Sequence, residues 1–226
     1  MGILKKSTLF EGNTEEEIES MLKCMGAKRA TYGKGNYIFN EGQTIHEMGL
    51  ILTGKVQVIK EDFWGNRTIL AQLKEGELFG ETYAYVEGMR LEVSVLASEK
   101  TEILFLDCKK ILHVCPSSCQ FHQRAVKNLL KIMAEKNLQL SEKITYLSKR
   151  TTREKILSFL SGQAKKAGSY NFEIPFNRQE MADYLGVDRS ALSKELGKLK
   201  RESILTFQKN RFSLTKELSG YSDSDF

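Results

Sequence analysis

Residues Pro175–Thr206 read PFNRQEMADYLGVDRSALSKELGKLKRESILT. Two short helices joined by a tight turn account for this stretch. Asn177 is a good N-cap and Glu180 follows at the capping-box spacing. Met181, Ala182, Tyr184 and Leu185 then form one apolar face. Gly186 ends the helix, because glycine enters the left-handed backbone region without a Cβ clash. Asp188 can cap a second helix whose apolar face is Ala191, Leu192, Leu196 and Leu199. Arg189, Ser190, Ser193, Lys194 and Lys198 are left facing outward. Arg and Lys can pair with guanine O6 and N7, and Ser can bond bases or phosphates, so this pattern reads as a DNA-binding helix-turn-helix. A solvated amphipathic helix pair has the same spacing, and the motif alone does not separate the two.

The chain has 226 residues, room for two small domains with separate cores. Its 41% hydrophobic and 28% charged residues are ordinary for a soluble globular protein. No apolar run approaches the ~20 residues that span a bilayer. The opening MGILKKSTLF does not read as a signal peptide, so the cytoplasm is expected and no membrane partner. The four cysteines then read as thiols or ligands rather than structural disulfides. Residues 149–226 carry 15 Lys and Arg against 10 Asp and Glu, whereas residues 1–117 carry 14 against 17. A basic back half suits a polyanion partner. No Ser/His/Asp set, paired-carboxylate site or phosphate-cradling glycine loop stands out, so an enzyme is not expected.

Residues 11–25 read as an amphipathic helix capped by Asn13 or Thr14, with Ile18, Met21 and Leu22 buried. From Lys28 to Leu106 short apolar runs alternate with glycine. Tyr37–Phe39, Leu50–Leu52, Val56–Ile59, Thr68–Leu73, Val93–Ala97 and Glu102–Leu106 are expected strands, and Gly42, Gly54, Gly65 and Gly76 punctuate them. That rhythm predicts an antiparallel jelly-roll sandwich. Residues 118–148 read as one long helix. Val126, Leu130, Met133, Asn137, Leu140, Ile144 and Leu147 follow one another at alternating spacings of 4 and 3, a heptad seam that predicts a homodimer. Thr151 and Glu154 form another capping box and start a new helix. Tyr170–Ile174 and Leu205–Leu214 read as strands, the latter turning at Lys209-Asn210 to make a wing. The polar end, residues 219–226, reads as disordered.

Asn177 to Leu196 resembles the helix-turn-helix of Crp/Fnr-type transcription regulators. Glu41-Gly42, Gly54, Gly65, Gly76 and Phe79-Gly80-Glu81 are similar, in order, to the cyclic-nucleotide-binding β-roll. The resemblance implies an α+β chain: a jelly-roll β-roll sensor domain at 1–117, a dimerisation helix at 118–148, a winged helix-turn-helix domain at 149–218, and a tail. It places Arg189, Ser190 and Lys194 where bases are read, with Arg178, Gln179 and Lys198 as phosphate contacts. Double-stranded DNA with a pseudo-palindromic operator and RNA polymerase are the implied partners.

Gly80, Glu81, Arg90 and Leu140 are the candidate effector-pocket residues. In the family the glutamate accepts from a ribose hydroxyl and an Arg-Ser pair holds the cyclic phosphate. Those last positions hold Leu91 and Glu92, and Leu140 stands where the cyclic AMP receptor has the adenine-facing threonine. The pattern therefore speaks against cyclic AMP and leaves the effector unknown. Cys108, Cys115 and Cys119, with His113 and His122 nearby and Cys24 as a possible fourth thiol, could hold an iron–sulfur cluster or another metal, or form a redox pair. They could equally be small buried hydrophobes. The expected function is a homodimeric, sequence-specific transcription regulator under effector or redox control. The alternative is a nucleotide- or metal-binding sensor module without direct DNA readout.

Overall fold

The computed structural model describes residues 2–112 and 120–215. Cys115, Cys119, His113 and the tail at 219–226 lie outside them, as do the side-chain surroundings of Leu112. Contacts divide the chain into two compact units, Met1–Asn137 and Leu138–Phe226.

The first unit opens with α1 (Gly2–Lys6) and a 3-10 turn (Thr8–Phe10), neither of which the sequence pattern signals. Next comes α2 (Glu15–Cys24), capped by a Thr14/Glu17 box. Ile18 and Met21 are fully buried, as expected, whereas Leu22 is only half-buried against the core. Eight strands follow: β1 (Lys28–Tyr32), β2 (Tyr37–Phe39), β3 (Glu47–Thr53), β4 (Lys55–Glu61), β5 (Arg67–Lys74), β6 (Leu78–Phe79), β7 (Ser94–Ala97) and β8 (Thr101–Asp107). The short helix α3 (Glu81–Tyr85) sits between β6 and β7, and α4 (Cys108–Leu112) follows β8. Two antiparallel sheets result, in the orders β1-β8-β3-β6 and β2-β7-β4-β5. One apolar core unites their inner faces with Leu4, Leu9 and Phe10 of the N-terminal turns.

The long helix α5 runs Gln120–Leu147. Its Ala125, Leu129 and Ile132 belong to the first unit's core. These positions lie one residue before the heptad seam, so α5 carries two neighbouring apolar stripes. The second unit holds the end of α5, then α6 (Thr152–Ala167), β9 (Asn171–Glu173), α7 (Arg178–Leu185), α8 (Arg189–Arg201), β10 (Leu205–Gln208) and β11 (Arg211–Leu214). The strands pair antiparallel in the order β10-β11-β9. Ile156, Phe159, Leu160, Met181, Leu185, Leu192, Leu196 and Leu199 are fully buried, so the three helices share one core.

Gly49 of β3 lies opposite Phe79 of β6 in the register. A Cβ at Gly49 would lie 2.1 Å from Cζ of Phe79, a ring that also meets Phe39 edge-on at 5.6 Å. Glycine here lets Phe79 cross the strand and sets the entry to Gly80-Glu81. Gly49→Ala is therefore expected to overpack the sandwich and lower stability by about 1–3 kcal/mol. Urea unfolding of the full chain followed by circular dichroism measures it, and an unchanged midpoint would contradict the close approach.

Candidate DNA-binding face and sensor site

Local rules build the two helices of the helix-turn-helix. The Asn177 side chain accepts from the Glu180 amide and Glu180 returns to the Asn177 amide, closing the box that starts α7. Gly186 stops α7 in the left-handed region at φ 58°. The Asp188 carboxylate accepts from the Ser190 and Ala191 amides to start α8. The Ser190 hydroxyl also donates to Asp188, and these bonds hold the Asp188 carboxyl below its ordinary range. Ser190 thus has its proton committed to the cap and offers only acceptor capacity outward.

Arg189, Ser190, Ser193 and Lys194 are all exposed on α8. Arg189 and Lys194 have no ion-pair partner among the described residues. Lys198 pairs with Glu195 at 3.2 Å, and Glu195 also accepts from Arg153 of α6 at 3.3 Å. Arg153 reaches Glu202 at the end of α8 as well, which clamps α8 to α6. Gln179 is exposed and donates to Asp183.

Arg178 is placed differently from an exposed phosphate contact. Its guanidinium lies 4.6 Å above the Phe207 ring and 5.1 Å above Phe212. Phe172, Phe212 and Phe207 line up across the three wing strands in register. Burial lowers the Arg178 pKa, and its buried Nη1 has no hydrogen-bond partner among the described residues. An aromatic-backed guanidinium fixes the wing against α7, and its unused donor faces inward.

In the candidate effector site of the β-roll, Gly80 is left-handed at φ 79°, and a Cβ there would meet Ile45 and Phe39 at 3.1 Å. Glu81 is 6% exposed and its Oε2 is buried without a hydrogen-bond partner. Its Oε1 accepts from Nζ of Lys136 on α5 at 2.6 Å, and the same ammonium donates to the Leu78 carbonyl at 2.7 Å. The α5 residue bonded to Glu81 is therefore Lys136, one turn before the expected Leu140, whose side chain is 57% exposed. The sequence carries a signal for it: His122, Ala125, Leu129, Ile132 and Lys136 continue one stripe at spacings of 3, 4, 3 and 4.

Glu92 points outward beside Lys60 at 3.8 Å, so no desolvated carboxylate repels an anion there. Leu91 is the residue turned inward, with its amide and carbonyl bonded to Gln43 and Gly42. Arg90 is exposed and bridges Thr44 through the backbone.

The cysteine set is only partly in view. Cys24 is exposed at the end of α2 and Cys108 is buried at the start of α4. Burial, then the charges of Glu81 and Asp107, push the Cys108 thiol up to about 11, which keeps it protonated and poorly nucleophilic at neutral pH. Among the described residues no three His, Cys, Asp or Glu side chains gather to hold a metal ion. No helix among them is long and apolar enough to cross a membrane.

The seam residues Leu130, Leu140, Ile144 and Leu147 are exposed by 67%, 57%, 67% and 36%. Asn137 is exposed too, with Val126 and Met133 half-buried. The opposite side of the α5 end is packed: Tyr146 meets Phe159 edge-on at 5.7 Å, and Lys143 Nζ lies 4.1 Å over the Tyr184 ring of α7.

Comparison with known proteins agrees with both halves. The cyclic nucleotide-binding domain model matches residues 29–118, and the Crp-like helix-turn-helix domain model matches residues 154–217. The chain is 28% identical over 205 residues to the "Cyclic AMP receptor protein" of Thermus thermophilus, covering 89% of each. It is 23% identical to the "cAMP-activated global transcriptional regulator CRP" of Salmonella typhimurium, over 77% of this chain and 83% of that one. Among solved structures, the c-di-GMP responsive global regulator CLP of Xanthomonas campestris superposes with a TM-score of 0.71 at 19% identity, covering 89% of this chain and 99% of that one.

Lys143 sets a pH dependence. Burial pulls its ammonium down to about 8, while burial raises the Tyr184 hydroxyl to about 12 and raises Tyr146 as well. Between pH 8 and the ordinary lysine range the unfolded chain holds a proton at Lys143 that the folded chain has released, so the Lys143 contribution to stability rises with pH in that window, opposed above about pH 9 by the raised Cys108 thiol. The gain is on the order of 1–3 kcal/mol by pH 10. Lys143→Met should remove this rise. Thermal unfolding of both proteins at pH 7.5 and 9.5 checks it, and equal pH dependence would contradict it.

Proposed function

We propose, for a chain that belongs to the Crp/Fnr family of transcription regulators, that it binds a pseudo-palindromic DNA operator as a homodimer and that a signal at the β-roll/α5 contact sets its affinity. The observation that carries DNA readout is the face of α8. Asp188 caps the helix, Leu192, Leu196 and Leu199 anchor it, and Arg189 and Lys194 stand exposed with no ion-pair partner among the described residues. Arg189, Ser190 and Lys194 are the proposed base-reading residues, Ser190 as an acceptor. Arg178, Gln179 and Lys198 are the proposed phosphate contacts.

The seam supports the homodimer. Leu130, Leu140 and Ile144 form an exposed apolar row on one helix, with Asn137 as a register-setting polar residue. Two recognition helices would then enter successive major grooves ~34 Å apart. RNA polymerase is the further proposed partner, in the cytoplasm. The signal is a small molecule or a redox change, and cyclic AMP is not the proposed effector. The sensor-module alternative gains no support from the exposed cations of α8.

Operator binding by a panel of DNA variants at several salt concentrations tests the readout. Arg189→Ala should cost about 1–3 kcal/mol per half-site and relax preference at one base pair. Arg178→Ala should weaken all sequences alike and reduce the salt slope by about one. Reversed behaviour would put the wrong helix in the groove.

Leu130→Glu combined with Met133→Glu should convert the dimer to monomer, because both changes lie on the seam and outside the apolar core. Light scattering reads the mass directly. A dimer that persists would displace the seam from this face of α5.

A further inference from the structure

We propose that Lys136 is a built-in occupant of the sensor: it latches α5 to the β-roll and, with Leu91, excludes cyclic nucleotides. The inference deepens the sensor part of the reading above and rests on it.

A carboxylate buried as deeply as Glu81 needs a donor or a cation. The chain supplies it. The Lys136 ammonium spans the Phe79-Gly80 turn, bonding the Leu78 carbonyl on one side and Glu81 Oε1 on the other. The Lys136 side chain is itself only 24% exposed, so the pair is poorly screened. Gly80 takes the left-handed backbone at φ 79° and is crowded by Ile45 and Phe39, so a side chain there would strain the turn beneath the ammonium.

A ligand hydroxyl seeking Glu81 would have to displace this ammonium and leave it buried without its counter-charge. A ligand phosphate would find no cation at position 91, where Leu91 is 2% exposed and part of the core. Glu81 Oε2, buried and without a hydrogen-bond partner, marks the half of the carboxylate that the latch does not satisfy. The arrangement therefore orders α5 on the β-roll with no added nucleotide.

The test compares the full-length protein with Glu81→Gln, Lys136→Met, the double variant and Lys136→Arg. Amide hydrogen exchange without DNA is the first readout. Exchange in α3 and in the first turns of α5, before residue 138, should accelerate about tenfold or more in each neutral single variant. The double variant should be no faster than the worse single, and Lys136→Arg should stay near the parent. Titration calorimetry with cyclic AMP is the second readout, and the parent should give no binding heat at millimolar nucleotide. Unchanged exchange in both Glu81→Gln and Lys136→Met overturns the latch, as does micromolar cyclic AMP binding by the parent. If Lys136→Met fails to fold, Glu81→Gln decides alone. Operator binding without nucleotide is a separate arm: its failure sinks the DNA-binding reading and leaves the exchange and calorimetry results standing.

Discussion

One helix has to satisfy two apolar stripes. On α5, Ala125, Leu129 and Ile132 are buried in the first unit's core, while Leu130, Leu140 and Ile144 stand exposed one residue further round. An α-helix places residues three and four apart on one side, so the two stripes are adjacent and together cover a wide arc. The buried stripe ties the helix to its own chain. The exposed one has no cover among the described residues, and it is the row that the proposed dimer would bury.

The buried stripe is not purely apolar. Lys136 and Lys143 stand on it seven residues apart, each in a different compact unit. Lys136 is matched by a carboxylate and a carbonyl. Lys143 lies over the face of Tyr184, where ring electrons and its own hydrocarbon stem offset part of the desolvation. Such residues cost stability relative to packed leucine, but they bind their partners directionally. A helix held by leucines alone can slip, whereas a buried ammonium with defined acceptors fixes one arrangement.

The recognition module follows the same division between generic packing and specific polar contacts. Leu192, Leu196 and Leu199 set the depth of α8, and the Arg153 links to Glu195 and Glu202 set its rotation against α6. Arg178 performs the same service for the wing by stacking on Phe207 and Phe212. The exposed cations of α8 are thereby held on a rigid frame, which base readout requires.

The sequence by itself determined the local elements. Capping boxes at Thr151/Glu154 and Asn177/Glu180 form as written, and Gly186 stops α7, because these signals act within four residues. The strand rhythm from Tyr37 to Leu106 and the two helices of the DNA-binding motif were legible for the same reason. The short α1, the 3-10 turn and β1 were not, since each is held by distant partners: β1 pairs with β8 some seventy residues later in the chain. Only the tertiary structure decided what Glu81, Leu91 and Glu92 touch. The family resemblance brought out Glu81, but not that Lys136 closes on it, nor that Leu91 turns inward while Glu92 turns to solvent. It likewise flagged Arg178 as a cation without revealing the phenylalanine rings beneath it. Which of two neighbouring residues faces the core depends on the packing of elements far apart in sequence, and a pattern read along one dimension does not contain it.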